Sequence, residues 1–341
     1  MSTKIHIKGW GAVSPAGWSA RELADAVIAR HDLLAKEECR PGGAPLCRTR
    51  PVPALSTAPG WLRHARLRRS SPATRFAVSA TLEALHGSSL EAPPAIIFVT
   101  MNGSVNFSRR FFSEVQENPL LASPILFPET VFNAPSSHIS SLLHSPAPNY
   151  TLIGDSAQFP GGMDLAAQWL CEGRVRDCLV IAAEELDWLT SEALHQMPGR
   201  RVASEGAAAV WLSAESANDK ATAIVLDHIT DAVMIRAHVS RDKAVRQMRA
   251  MLPSHPGMAL CDSRCGNLIW DRAENQAAAG WSGRVFSPLS VLGDGFGVSA
   301  GWQVTLAAEV LARNIAPSIA ISAAGGSQQA TGAVLAADHL G

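Results

Sequence analysis

Residues 150–162, Tyr-Thr-Leu-Ile-Gly-Asp-Ser-Ala-Gln-Phe-Pro-Gly-Gly, constrain the fold more than any other stretch of the chain. A β-rich run enters, a small polar residue, Ser156, sits at the bend, and an amphipathic helix expected over about 161–172 leaves. A side chain at such a bend points towards a helix N-terminus, where unpaired N–H groups and the macrodipole favour negative charge. That placement suits an activated thiolate or an oxyanion. The residue at the bend is a serine, so the chemistry turns on what surrounds it.

Around this turn the chain alternates strands and helices, which predicts an α/β fold with sheets covered on both faces. Strands are expected at 5–11, 95–100, 177–183 and 207–213, and helices at 19–29, 108–117 and 133–143. Ser19 is a capping residue with Glu22 three positions on. Residues 36–60, rich in Pro, Gly and Arg, read as a surface loop. Residues 61–85 carry helical periodicity that Pro72 breaks or restarts. The order strand, turn, helix, strand, strand over 150–213 recurs over 285–337: a strand at 285–292, glycines at 293–297, a helix at 299–312, and strands at 318–323 and 330–337. Two duplicated halves are therefore expected, 1–220 and 221–341.

The 341 residues are 47% hydrophobic and only 17% charged, which suits a large core and a sizeable buried interface. A net charge of −1 argues against nucleic acid as a partner. The six cysteines form no C-x-x-C pair and lie beside no histidine cluster, so neither a metal nor a cofactor is expected. No run of about 18 apolar residues is present, so no membrane span is expected. The N-terminus lacks a signal-peptide layout, and free thiols fit a cytoplasmic protein.

Several segments, taken together, resemble the β-ketoacyl synthase branch of the thiolase-like fold. These are residues 7–17 (Ile-Lys-Gly-Trp-Gly-Ala-Val-Ser-Pro-Ala-Gly), 127–134 (Phe-Pro-Glu-Thr-Val-Phe-Asn-Ala), 165–173 with 177–184, 204–208 (Ser-Glu-Gly-Ala-Ala), 293–301 and Gly325-Gly326. The resemblance implies a thiolase-like five-layered αβαβα fold. It also implies decarboxylative Claisen condensation on an acyl carrier protein by a cysteine and two histidines. Carried over residue by residue, the cysteine falls on Ser156, the first histidine on or near Ser263 and the second on Asp294. The preceding lysine falls on Leu289, and the gating phenylalanines near Ser322 and Ala324.

A serine needs a nearby base, and both histidines that could serve are replaced. Asp294 would place negative charge where an enolate must be stabilised; losing one such donor typically costs ~3 kcal/mol of transition-state stabilisation. His138 is the surviving base candidate, should its helix pack beneath the turn. The resemblance thus implies a non-catalytic subunit similar to a chain length factor, paired with an active ketosynthase through the strand before the Ser156 turn. An acidic acyl carrier protein would dock on Arg63, Arg66, Arg68 and Arg69. The alternatives are a Ser156-dependent acyltransferase or hydrolase, and an acyl-binding homodimer without chemistry.

Overall fold

The run Ala95–Thr100 shows how the core is built. Ile96 and Phe98 point into one apolar cluster, and Ile97 and Val99 into another. Alternate side chains of a strand face opposite sides, so a run with no polar residue needs cover on both faces. A computed structural model describes residues 3–39, 42–43, 45–85, 92–197, 201–215 and 223–338.

In the first half the elements are β1 (Ile5–Val13), α1 (Ala20–Ile28), β2 (Lys36–Cys39), β3 (Pro45–Arg50), α2 (Pro72–Ala84), β4 (Ala95–Thr100) and α3 (Val105–Glu117). They continue with α4 (Ala134–Leu142), β5 (Asn149–Ile153), α5 (Gln158–Cys171), β6 (Asp177–Glu184), α6 (Trp188–Gln196), β7 (Ala203–Ser204) and β8 (Gly206–Ser213). The second half has β9 (Ala223–Ile229), β10 (Val233–Met234), α7 (Arg241–Met251), β11 (Ala259–Cys261) and α8 (Leu268–Ala277). It ends with β12 (Val285–Phe286), α9 (Pro288–Leu292), α10 (Ser299–Ala312), β13 (Ser318–Ala324) and β14 (Gln329–Asp338).

An 11-stranded sheet runs β12-β11-β13-β14-β9-β1-β8-β6-β4-β5, with β10 beside β14. The same strand order and directions occur in both halves. β5-β4-β6 are parallel and β8 and β1 antiparallel; β12-β11-β13 are parallel and β14 and β9 antiparallel. This is a repeated unit. The halves join where Ile5 and Ile7 of β1 pair with Leu226 and Ile224 of β9. The expected boundary at 220/221 falls outside the described residues.

α5 and α10 pack against each other between the two parts of the sheet. α2 and α4 cover the outer face of the first half, and α7, backed by α8, that of the second. The layers are therefore αβαβα. The central position of α10 explains its composition: Trp302, Val304, Leu306, Val310 and Leu311 are all fully buried. Trp302 Nε1 donates to the carbonyls of Val13 (3.0 Å) and Ala207 (3.2 Å), fixing α10 to β1 and β8.

Three expectations need correction. Residues 36–60 are not simply a loop, because β2 and β3 form a three-stranded sheet with β7. The strand expected over 285–292 is only Val285–Phe286; Pro288, its φ already suited to a first helical turn, starts α9. Pro72 likewise opens α2, capped by Ser71, and two 3₁₀ turns precede it. No helix among the described residues is long and apolar enough to cross a membrane.

Candidate functional site

The bend between β5 and α5 sits where the two halves meet. Asp155 is buried; its Oδ2 accepts the backbone N–H groups of Ser327 (3.3 Å) and Gln328 (3.0 Å) from the β13–β14 turn. A Cβ at Gly325 would lie 2.0 Å from the Asp155 carboxylate, so this turn requires glycine. Burial is the main cause pushing the Asp155 pKa upward.

Ser156 is also buried, but it does not cap the helix. The N-cap of α5 is Ala157. The Ser156 hydroxyl instead donates to the Ala324 carbonyl over 3.4 Å, at the weak end of hydrogen bonding. No base touches it.

Ser156, Ser263 and Asp294 all line one cavity of about 120 Å³. Ser263, at the end of β11, donates to the Ser322 carbonyl (2.6 Å) and accepts from the Ala324 N–H (2.9 Å). It bridges two backbone groups of β13, where the resemblance places an imidazole. Ser322 donates its hydroxyl to Glu274 Oε1 (2.8 Å). Leu289 and Ala324, where the resemblance places the lysine and a gating phenylalanine, line the cavity as well.

Asp294 follows Gly293, whose φ of 90° lies in the left-handed region that favours glycine. Its backbone is tied to β7: its N–H donates to the Val202 carbonyl and its carbonyl accepts from Ser204, both at 2.8 Å. Its Oδ1 accepts from the Phe296 N–H (2.9 Å) and the Ser299 hydroxyl (3.3 Å). The negative charge it brings is paired, because Arg201 forms a salt bridge to Oδ2 and both side chains are about nine-tenths buried. Sequence reading missed Arg201, which is far from Asp294 along the chain and carries no local pattern.

The same reading missed Trp270 and Arg241. Arg201 and Arg241 lie against the Trp270 indole, at 3.8 and 4.7 Å from its centre. Both pairs are within cation–π range.

His138 is not at this site. α4 packs on α2, β4 and β5 on the outer face of the sheet, whereas α5 lies on the inner face. The His138 Nε2 sits 2.8 Å from Glu129 Oε1. Among the described residues lining the cavity there is no histidine. Among the described residues, no group of three or more His, Cys, Asp or Glu side chains is arranged to hold a metal ion. Arg63, Arg66, Arg68 and Arg69 are exposed on the 3₁₀ turns ahead of α2.

No family model matches the sequence, and no curated protein matches it either. Solved structures do. The chain is similar to the ishigamide ketosynthase/chain length factor, with 18% identity, 98% of this chain and 99% of that one covered, and a TM-score of 0.84. It is similar to a β-ketoacyl synthase from Burkholderia phymatum, with 15% identity, 98% and 100% covered, and a TM-score of 0.79. It is also similar to a ketosynthase in complex with its chain length factor from Xenorhabdus doucetiae, with 13% identity, 98% of each chain covered, and a TM-score of 0.76. At these identities the likeness establishes the fold. The chain has the thiolase-like architecture that ketosynthases and chain length factors share.

Proposed function

We propose that this chain is a non-catalytic ketosynthase-like subunit. It pairs with an active β-ketoacyl-ACP synthase in polyketide, aryl-polyene or fatty-acid-type biosynthesis, stabilises that partner and bounds product length. The observation that carries the reading is the cavity. Ser156 faces a carbonyl, Ser263 is committed to the backbone, and Asp294 is held by Arg201. No imidazole of the described lining residues is placed to take a proton from the hydroxyl, and Ser263 and Asp294, at the positions the resemblance gives to the two histidines, offer an enolate no free donor.

Pairing is supported by the sheet edge. Among the described residues β5 ends the strand path and no strand pairs with its outer edge, which can take a further strand. Tyr150 and Ile153 on that strand are exposed, as are Leu121, Ile125, Phe127 and Phe132 between α3 and α4. Exposed apolar surface of this kind marks an interaction site. The exposed arginines ahead of α2 supply a basic surface for an acidic carrier protein.

Co-expression with a ketosynthase encoded beside it tests the reading. A heterodimer should co-purify, and Ser156→Ala should leave the pair's turnover unchanged. Labelling of Ser156 by an acyl thioester, lost in Ser156→Ala, would make the chain an acyltransferase instead. A stable homodimer that ignores the synthase would refute the pairing.

A further inference from the structure

One charge in the cavity has no direct counter-ion. Arg241, the first residue of α7, donates through Nε to the Gly325 carbonyl (3.1 Å) and through Nη1 to the Trp270 carbonyl (2.6 Å). No carboxylate of the described residues comes within 4.0 Å of it. Arg201, on the same indole, has the Asp294 carboxylate, and the Asp155 carboxylate is engaged by the backbone N–H groups of Ser327 and Gln328. Glu274 and Asp242 attract Arg241 only at longer range; Asp242 is paired with Arg272, and Glu274 accepts from Ser263 and Ser322. A cation removed from water needs a partner, and hydrogen bonds to two carbonyls neutralise none of its charge.

The rest of the lining says what kind of partner fits. Met101, Leu194, Met197, Leu289 and Phe296 make an apolar wall. Ser156 and Arg241 both line this cavity, and the Ser156 hydroxyl is only weakly engaged, over 3.4 Å, with the Ala324 carbonyl. An apolar cavity of ~150 Å³ accommodates the six non-hydrogen atoms of benzene, so this one, at about 120 Å³, has room for about five and at most six.

We propose that the cavity binds a short-chain organic carboxylate, its head group held by Arg241 and the Ser156 hydroxyl and its two- or three-carbon body against the apolar wall. Arginine suits this role because its planar donors match a carboxylate. The inference stands on the cavity alone, so pairing with a synthase can fail without touching it.

Calorimetric titration of the purified chain with sodium butyrate and with butyramide tests the idea without any variant. Butyrate should bind saturably and butyramide, nearly the same in shape but uncharged, at least about tenfold more weakly. Octanoate, too long for the space, should not compete with butyrate. Equal affinity for acid and amide, or no saturable butyrate binding, overturns the proposal. Because Arg241 also anchors two carbonyls, Leu289→Trp provides an independent check: it fills the cavity while sparing both arginines. It should abolish butyrate binding in a protein that still melts cooperatively, and unchanged affinity there would equally overturn the assignment.

Discussion

Asp294 brings a buried carboxylate into the cavity, and Arg201 cancels its charge. Truncating one member of such a buried pair strands the other. Asp294→Ala should therefore cost about 3–5 kcal/mol in urea unfolding, and Arg201→Met combined with Asp294→Leu should recover much of that loss. A double variant as unstable as the single one would mean that the hydrogen bonds to Phe296 and Ser299, rather than the ion pair, carry the stability. Reading the sequence named Ser156, Ser263 and Asp294, because each lies in a glycine-marked turn or a motif of fixed order. It could not find Arg201, Trp270 or Arg241. Their contacts join segments tens of residues apart, and an arginine destined for an indole leaves no periodic signal. It also misplaced His138: a helix can be read from its own residues, but the face of the sheet it covers cannot.

Among the elements, those with a two-sided apolar pattern were the most legible. β4, β6, β8, α10 and β13 were expected within a residue or two of where they lie, because burial on both sides leaves few polar positions to blur the boundary. β2 and β3 were not. They form a small side sheet with exposed positions, so Lys36–Cys39 reads as polar chain and takes strand form only through its neighbours. α7 went unread for a related reason: Arg241–Met251 is mostly polar and buries only Ala244, Val245 and Met248. The exposed edge of β5 carries a prediction of its own. Leu121→Lys with Ile153→Lys puts two charges on the exposed apolar surface at and near this edge, and both positions are already solvent-facing in the isolated chain, whereas Tyr150 packs edge-on against Trp169. Size-exclusion chromatography with light scattering should show the complex with the synthase lost, while the melting temperature of the free chain moves by no more than about 2 °C. A complex that survives both charges would put the interface elsewhere.

At the scale of the whole molecule, the low proportion of charged residues conceals several buried carboxyls. Burial pushes the pKa of Glu184 up to about 8, and those of Glu83 and Glu185 to about 7, from an ordinary value of 4.5. A raised value means that the folded chain keeps a proton the unfolded chain has already released. The stabilisation is complete below about pH 4.5 and is lost as pH rises through 7 to 8. Each proton so held is worth about 1.4 kcal/mol per pH unit. His6, whose pKa burial lowers, is largely uncharged in either state above its ordinary 6.5 and adds little there. The melting temperature should therefore fall between pH 6.5 and 8, and Glu184→Gln should flatten the curve; a curve that rises over that interval would contradict the assignment. The repeated strand order was legible only as a repeated order of elements, since matching directions are a property of pairing and not of local sequence. That pairing has a consequence for biosynthesis. β1 leaves the ribosome first, yet its neighbours β8 and β9 lie some 200 residues later. At about 5–20 residues per second, the N-terminal strand waits roughly 10–40 s with both flanks open. Whatever shields it in that interval, a chaperone or a provisional contact within the nascent chain, must let go before the two halves can close.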